Sequence, residues 1–371
     1  MIRRPPRSTQ GVSSAASDVY KRQVQKMYFE NGLDYREEDK LFWEEELADW
    51  MPNRIYDVHA HLFAPSTMDP TSKYLKTVPP ASYQDLIDWN ATLFPGREVH
   101  FLMLGRPAEG TDVPAHNDYM YEQVTPDPLS RMNRLTIPST PLEEIEHDVK
   151  ERGFVGLKVY RLYSVTGDVD NCRIHEFLPH EQMELASELG LWVTMHLSRS
   201  EGGGDPQNLD DLAEYTMKRY PGIKWILAHC ARSFTYMHAQ RAVERLRDMP
   251  NIWYDMSAVT DLRPFLSLFQ KEDHKPLKFR SDAIDSTSFH GYYIPFGHAW
   301  QMLNTDTVPH LRFDLTKHKP IVCIYEQLIS MKHAAEIAGL TKSQIEDIFW
   351  RNAVREPVSY THLTLPTILL V

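Results

Sequence analysis

The segment RIYDVHAHL, residues 54–62, joins the pattern of a buried strand to a pair of histidines. Ile55 and Val58 give it the apolar character of a strand that is covered on both faces, as in parallel sheets. Side chains two positions apart on a strand point to the same face, so His59 and His61 point together near its C-terminal end. Valine or leucine would serve a core better at these positions, so the pair predicts a functional site.

Seven more short apolar runs follow this one and are separated by amphipathic stretches. We interpret them as strands at residues 98–104, 134–139, 155–162, 191–197, 224–230, 252–258 and 277–283. Helical patterns lie between the strands, and five of them are at residues 81–94, 141–153, 179–190, 208–222 and 238–251. Several end in glycine or run into a Pro-Gly or Pro-Asn pair, which are helix stop signals.

Eight strand–helix units over about 300 residues predict an α/β fold, a (β/α)8 TIM barrel in a single domain. The alternative is an open doubly wound sheet, but no glycine-rich phosphate loop follows the first strand. Residues 27–53 predict an N-terminal helical extension, and the barrel is expected to span residues 54–356. Residues 283–318 predict a long loop after the eighth strand, at the face where barrel active sites lie.

Both ends of the chain differ in character from the rest. Residues 1–23 are basic and serine-rich without apolar periodicity, and residues 357–371 break off a helical pattern. Both segments resemble translated sequencing-adapter sequence, and we interpret them as non-native and exclude them from the fold. The alternative for the first segment is a transit peptide or a secretory signal, and the lack of a continuous apolar region disfavours the secretory signal.

The composition and net charge of the chain bear on which classes of molecule it binds and where it is located. The formal net charge of −11 over 371 residues argues against nucleic acid and anionic membranes as partners, and it says little about a small-molecule substrate. No run of 18 apolar residues occurs, so no membrane span is expected. The three cysteines, Cys172, Cys230 and Cys323, are odd in number and far apart, which favours a reducing compartment and a cytoplasmic location.

Further ligand-type residues stand at the ends of other predicted strands. The fifth strand carries His196 in VTMHLSR, the sixth His229 in ILAHCAR and the eighth Asp282 in FRSDA. Active sites of (β/α)8 barrels lie at the C-terminal ends of the strands, so these side chains should meet His59 and His61. Imidazole and carboxylate together suit Zn²⁺ or a similar divalent ion. Each residue alone has a structural explanation, but five together favour a metal centre.

The motifs DVHAHLF, GLKVY, VTMHLSR, ILAHCARSF, FRSDA and QIEDIFWRNAVR resemble the metal-dependent amidohydrolase superfamily. The most similar branch is amidohydrolase family 2, which includes the aminocarboxymuconate-semialdehyde decarboxylase-like enzymes. The resemblance covers roughly residues 54–355 and suggests a homodimer or a higher oligomer. It implies one divalent metal ion, with Zn²⁺ as the default and Mn²⁺ or Fe²⁺ as alternatives. The implied metal ligands are His59, His61, His196 and Asp282, and His229 would lie beside the metal-bound water or the substrate.

Arg280 departs from the family pattern, and the role of Lys158 is not decided by it. The eighth strand of the family usually ends in Gly-Ser-Asp or Gly-Thr-Asp, whereas Arg280 stands here in place of the glycine. A competing register at residues 294–300, IPFGHAW, would put Ala299 in the place of Asp282. We prefer Asp282, because Ser-Asp-Ala matches the end of the motif. Lys158 in GLKVY is expected to neutralise a carboxylate or bind substrate, and the alternative is a carboxylated lysine that bridges two metal ions.

The resemblance implies an enzyme, a metal-dependent hydrolase that cleaves an amide, ester or lactone. A metal held in this way lowers the pKa of its bound water. Asp282 would accept the proton of the water and deliver it to the leaving group, and His229 would hydrogen-bond the substrate carbonyl or the nucleophile. The same residues would also serve a metal-dependent decarboxylase. A non-catalytic barrel is the third alternative, because fold alone does not prove activity.

Candidate substrate-binding residues follow the strands. Besides Lys158 they are Arg106, Tyr160, Arg161, Arg199 and Arg232. Several arginines around one mouth predict a carboxylate or phosphate on the substrate, since guanidinium pairs with both in a bidentate manner. The alternative is a set of ordinary ion pairs at the barrel rim. The segment of residues 198–208 contains three consecutive glycines and predicts a mobile lid.

Overall fold

The computed structural model describes residues 34–76, 78–273, 277–291, 293–303, 313 and 315–355. Eight parallel strands form one sheet in chain order. They are β1 Arg54–His61, β2 Glu98–Leu104, β3 Arg131–Leu135, β4 Gly156–Val159, β5 Trp192–Met195, β6 Lys224–Leu227, β7 Ile252–Asp255 and β8 Leu277–Lys278.

The sheet closes on itself between β1 and the residues that follow β8. Ala60 forms a parallel bridge with Ala283, and the backbone N–H of His61 donates to the Ala283 carbonyl at 2.8 Å. The backbone N–H of Asp282 donates to the His59 carbonyl at 2.9 Å. Closure removes both sheet edges, so the predicted (β/α)8 TIM barrel is confirmed.

Helices cover the outside of the barrel. They are α1 Glu37–Phe42, α2 Tyr83–Leu93, α3 Val113–Val124, α4 Leu142–Arg152, α5 Ile174–Phe177, α6 His180–Glu188, α7 Pro206–Glu214, α8 Tyr236–Leu246, α9 Leu262–Lys271, α10 Asp285–Ser288, α11 Cys323–Ala338, α12 Lys342–Glu346 and α13 Asn352–Val354. The five predicted helical patterns correspond to α2, α4, α6, α7 and α8. None of the helices within the described residues is long and apolar enough to cross a membrane.

The helix boundaries follow from local capping chemistry. The Ser82 side chain accepts a hydrogen bond from the Asp85 N–H and forms a capping box at the start of α2. Helix α4 has Glu143 and Glu144 in its first turn and ends at Gly153, whose φ of 73° is left-handed. Gly153 is one of the glycine stop signals noted in the sequence, which explains why the predicted and observed ends of α4 agree.

Two predicted elements near the C-terminal half of the barrel need correction. The eighth strand was predicted at residues 277–283, but only Leu277–Lys278 pair with β7. The following residues turn towards β1 and close the barrel there. The predicted loop of residues 283–318 contains α10 and an antiparallel hairpin of β9 Tyr293–Phe296 and β10 Ala299–Met302. Residues 292, 304–312 and 314 of that loop lie outside the described residues.

A buried carboxylate is one of the contacts that hold the N-terminal extension to the barrel. Helix α1 continues as a π-helical turn over Trp43–Leu47. Asp39 is fully buried and accepts hydrogen bonds from the backbone N–H of Arg36 at 2.9 Å and of Val322 at 2.8 Å. His290 Nε2 lies 2.9 Å from Oδ2 of Asp39, the oxygen that also accepts from Arg36. Residues 27–33 of the predicted extension lie outside the described residues.

We expect the substitution Asp39→Ala to lower the free energy of unfolding by about 2–4 kcal/mol, because it leaves buried donors without an acceptor. Urea unfolding followed by circular dichroism measures the change. Glu38→Ala is the matched control, since Glu38 is exposed on the same helix, and its effect should stay below about 0.5 kcal/mol. Equal effects of the two substitutions would contradict the role given to Asp39.

Candidate metal centre

The two histidines of β1 are buried and direct their Nε2 atoms into the same space. His61 Nδ1 lies 2.9 Å from the Leu104 carbonyl oxygen, and His59 Nδ1 lies 2.5 Å from Asp255 Oδ2. Both partners are acceptors, so each Nδ1 carries the proton. The two Nε2 atoms therefore present lone pairs to the same space, where they lie 3.1 Å apart.

Asp282 completes a group of three possible metal ligands. Its Oδ1 lies 3.4 Å from His59 Nε2, and one ligand atom each of His59, His61 and Asp282 lies within 4.8 Å of the others. Two imidazoles with fixed tautomers and a carboxylate form a donor set that fits a divalent cation. Ala299, the alternative to Asp282, lies on β10 with an exposed side chain.

His196 and His229 lie beside this group. Their Nε2 atoms are 2.6 Å apart, and the His196 ring centroid is 5.8 Å from that of His59. His229 Nδ1 lies 2.9 Å from Ser257 Oγ, whereas His196 Nδ1 has no hydrogen-bond partner among the described residues. The fold therefore brings together all five residues that the strand ends predicted, although His196 is not part of the group of three. Its role as a metal ligand stays a prediction.

The backbone around His229 is strained and tightly packed. Four consecutive residues have left-handed φ values of 58°, 53°, 59° and 56°: His229, Cys230, Ala231 and Arg232. Such a conformation costs roughly 1–2 kcal/mol for each residue that has a β-carbon. Gly203 packs against this turn, because a β-carbon there would lie 2.7 Å from the Ala231 β-carbon. Gly202–Gly204 are buried, so the structure packs the expected lid against the barrel.

Burial controls the charge of the site histidines. It lowers the pKa of His59, His61 and His196 well below the usual range, and that of His229 to about 4. The imidazolium form is disfavoured because the low-dielectric interior does not solvate it. All four rings are therefore neutral near pH 7, which is the state that binds a metal ion.

A lysine and a carboxyl group with shifted pKa values adjoin the histidines. Lys158 on β4 is fully buried with its Nζ 3.1 Å from His59 Nε2, and burial lowers its pKa to about 7. Burial raises the pKa of the Asp282 carboxyl group well above its usual range, and the charges of Asp285 and Asp255 add to this rise. Shifts of this kind, caused by burial and by specific charged neighbours, are typical of functional sites.

Asp255 and Arg280 are buried site neighbours whose place the sequence analysis did not predict. Asp255 ends β7, and its Oδ1 accepts hydrogen bonds from Ser257, at 2.8 Å from the backbone N–H and 2.5 Å from the hydroxyl. Burial favours a raised pKa for Asp255, but Arg280 and His59 outweigh it and hold this pKa well below the usual range. The sequence did contain a signal for Asp255, since the run IWYDMSA places its carboxylate at the end of a predicted strand.

Asp57 is a further buried neighbour on β1. Its Oδ1 accepts hydrogen bonds from the backbone N–H groups of His59 at 3.0 Å and Ser281 at 3.1 Å, and its Oδ2 accepts one from the Ser281 hydroxyl. Burial raises its pKa to about 6. Asp57 thus ties β1 to the segment that carries Asp282. The motif DVHAHLF contains it, but its spacing gives no sign of this role.

The predicted substrate arginines differ in their surroundings. Arg161 forms an ion pair with Asp170, with Nη1 2.8 Å from Oδ1, and Arg199 Nε lies 3.0 Å from Asp205 Oδ1. Both arginines therefore form ion pairs with neighbouring aspartates, as the alternative of ordinary ion pairs at the barrel rim predicted. This makes a role in substrate binding less well supported for them.

Arg106, Arg232 and Tyr160 lie closer to the histidines. Arg106 is buried, with Nη2 3.4 Å from Asp285 Oδ1. Arg232 donates to the Arg199 carbonyl at 2.7 Å, and burial lowers its pKa to about 10. The Tyr160 ring packs edge-on against His196 at 4.5 Å between centroids. Their contacts with a substrate stay a prediction.

Comparison with known proteins agrees with this fold. The model of the family described as Amidohydrolase matches residues 56–290. The structure is similar to that of a probable 2-pyrone-4,6-dicarboxylic acid hydrolase from Acinetobacter baumannii, with 15% identity, a TM-score of 0.53, and 82% of this chain and 98% of that chain covered. It is also similar to 2,6-dihydroxybenzoate decarboxylase, with 14% identity, a TM-score of 0.51 and the same coverage. At these identities the likeness shows the fold. No curated protein sequence matches this one.

We expect the metal-free protein to lose stability as the pH falls from 6.5 towards 4. His116 is also buried, and burial lowers its pKa to about 4, as it does for His229. Unfolded histidine titrates near 6.5, so below that pH the unfolded state binds more protons than the folded state. Each such histidine contributes about 1.4 kcal/mol per pH unit.

Urea unfolding in the presence of a chelator, repeated at pH values from about 7.5 to about 4, measures how the free energy of unfolding depends on pH. His116→Gln should reduce the slope by the share of one histidine without removing a proposed metal ligand. A free energy of unfolding that does not change across this window would contradict the burial of neutral imidazoles.

Proposed function

This chain belongs to the amidohydrolase family, and from that premise we propose that it is a metal-dependent hydrolase that cleaves an amide, ester or lactone in a small acidic molecule. One observation carries the proposal: His59, His61 and Asp282 form a buried group with convergent ligand atoms. An intact donor set at the mouth of a barrel disfavours the alternative of a non-catalytic barrel.

The chain's own residues would divide the chemistry between them. A divalent cation held by this group would supply Lewis-acid activation of a water molecule and of the substrate carbonyl. Asp282 would take up the proton of the attacking water and pass it to the leaving group. His229 carries its proton on Nδ1, which faces the carbonyl and hydroxyl oxygens of Ser257, so its Nε2 would accept a hydrogen bond from the attacking water.

We propose Zn²⁺ as the ion, because two or three histidines with one carboxylate suit it, with Mn²⁺ and Fe²⁺ as alternatives. His196 is the proposed fourth ligand, supported by its place beside His59 and by its unpartnered Nδ1. A single ion is proposed. Lys158 then serves as a cation near the ligands, and the two-metal alternative requires that it be carboxylated.

An acidic substrate is proposed from the cations near the histidines. Arg106 and Arg232 are largely buried, and guanidinium groups in such a place pair with carboxylates. The protein is further proposed to be cytoplasmic, supported by the burial of all three cysteines, and to form a homodimer, as the family resemblance suggests.

A metal-dependent decarboxylase is the second candidate. The similarity in fold to 2,6-dihydroxybenzoate decarboxylase supports it, since the same donors would orient an acidic substrate for loss of CO₂. The two activities differ in their products: hydrolysis adds water and releases an acid, whereas decarboxylation releases CO₂ without adding water. A panel of lactones, esters and aromatic acids with parallel detection of acid and CO₂ separates them.

We expect purified protein to contain about one equivalent of divalent metal per chain by elemental analysis. Asp282→Asn should lower this content clearly, because the amide is a weaker metal ligand than a carboxylate. Ala299→Asp is the matched control and should leave the content unchanged, since its side chain lies on the exposed hairpin. Full metal content in Asp282→Asn together with a gain in Ala299→Asp would reverse the assignment of the carboxylate ligand.

A further inference from the structure

A buried ion pair lies beside the metal ligands and has no part in the chemistry proposed above. Arg280 is 0% exposed, and its Nη1 lies 3.4 Å from Asp255 Oδ2. None of its three side-chain nitrogens has a hydrogen-bond partner among the described residues. Burying a guanidinium with so few acceptors is costly. Asp255 is the carboxylate in contact with this guanidinium, and the charge of Asp57 also acts on it from a greater distance.

Asp255 is also in direct contact with a proposed metal ligand. Asp255 Oδ2, the oxygen nearest Arg280, also lies 2.5 Å from His59 Nδ1. The other oxygen accepts two hydrogen bonds from Ser257. Both oxygens of Asp255 therefore have partners, and its orientation is fixed from two sides. Arg280, Asp255 and His59 form a continuous chain of contacts from the barrel interior to the metal group.

We propose that Arg280 is a positioning residue, which holds Asp255 so that Asp255 in turn keeps the Nε2 of His59 directed at the metal. A carboxylate on the second nitrogen of a ligand histidine fixes the ring and its tautomer and strengthens the metal bond. Without Arg280, the charge of Asp255 would be buried with no cation in contact, and its place beside His59 would be less well defined. This inference rests on the proposed metal-dependent function.

The test is a titration of the chelator-treated full-length protein with Co²⁺ alone, followed by the visible absorption of the bound ion. Arg280→Met removes the charge and keeps most of the volume. We expect its Kd for Co²⁺ to rise about 10–100-fold, with altered absorption bands, because the ligand geometry changes. Asp255→Asn should have a similar effect.

Arg134→Met is the matched control. Arg134 is also buried, and its Nε lies 3.0 Å from Asp148 Oδ2, but Asp148 lies on α4, away from the histidines. We expect this variant to lower the thermal midpoint of the metal-free protein without changing the Kd for Co²⁺. Equal losses of Co²⁺ affinity in Arg134→Met and Arg280→Met would mean that general destabilisation is the cause, and would overturn the inference.

The double variant Arg280→Met, Asp255→Asn tests whether Arg280 acts through Asp255. A Kd equal to that of Asp255→Asn alone supports the chain of contacts, and fully additive losses overturn it. Should Arg280→Met fail to fold, Arg280→Gln is measured in its place: weaker Co²⁺ binding supports the inference, and wild-type binding overturns it. Wild-type protein that binds no Co²⁺ would overturn the proposed function itself, whereas binding that is insensitive to Arg280 would overturn only this inference.

Discussion

The seam that closes the barrel is the contact on which the site depends. The backbone N–H of Asp282 donates to the His59 carbonyl, so the last strand segment is joined to the first next to the paired histidines. The same seam is supported from inside by Asp57, which accepts hydrogen bonds from Ser281 and from His59. Residues more than 220 positions apart in sequence thus become neighbours through main-chain bonds, and the carboxylate of Asp282 meets two imidazoles as a direct result.

The second constraint is the low dielectric of the barrel interior. Neutral imidazoles tolerate it, which is why burial lowers the pKa values of the site histidines. Charged groups are stable in this low-dielectric interior only when polar or charged neighbours contact them. Asp255 contacts Arg280, His59 and Ser257, and Lys158 lies against His59. A divalent cation would add positive charge to a pocket that already holds several buried carboxylates, so the donor set and its surroundings are electrostatically consistent.

Backbone strain is concentrated where the strands end. Left-handed φ values occur at Arg199, Ala258 and Asp282, and at the four residues that begin with His229. These positions follow β5, β7, β8 and β6, on the face that carries the ligands. Strain of this kind persists only where the surrounding packing over-determines it, and it is typical of functional sites. Here the packing includes Gly203, which leaves no room for a β-carbon against the turn after His229.

The sequence by itself determined the number and order of the eight strands, five of the helices and the set of ligand-type residues, because apolar periodicity and helix stop signals are local properties. It also favoured Asp282 over Ala299 from a three-residue motif. Only the tertiary structure decided which residues meet: Asp255 reaches His59, Arg280 pairs with Asp255, and Arg161 and Arg199 turn to partners at the rim. It also decided that the glycine-rich segment packs tightly and that the last loop forms a hairpin. Contacts between distant residues depend on strand order, closure and side-chain reach, none of which leaves a periodic trace in the sequence.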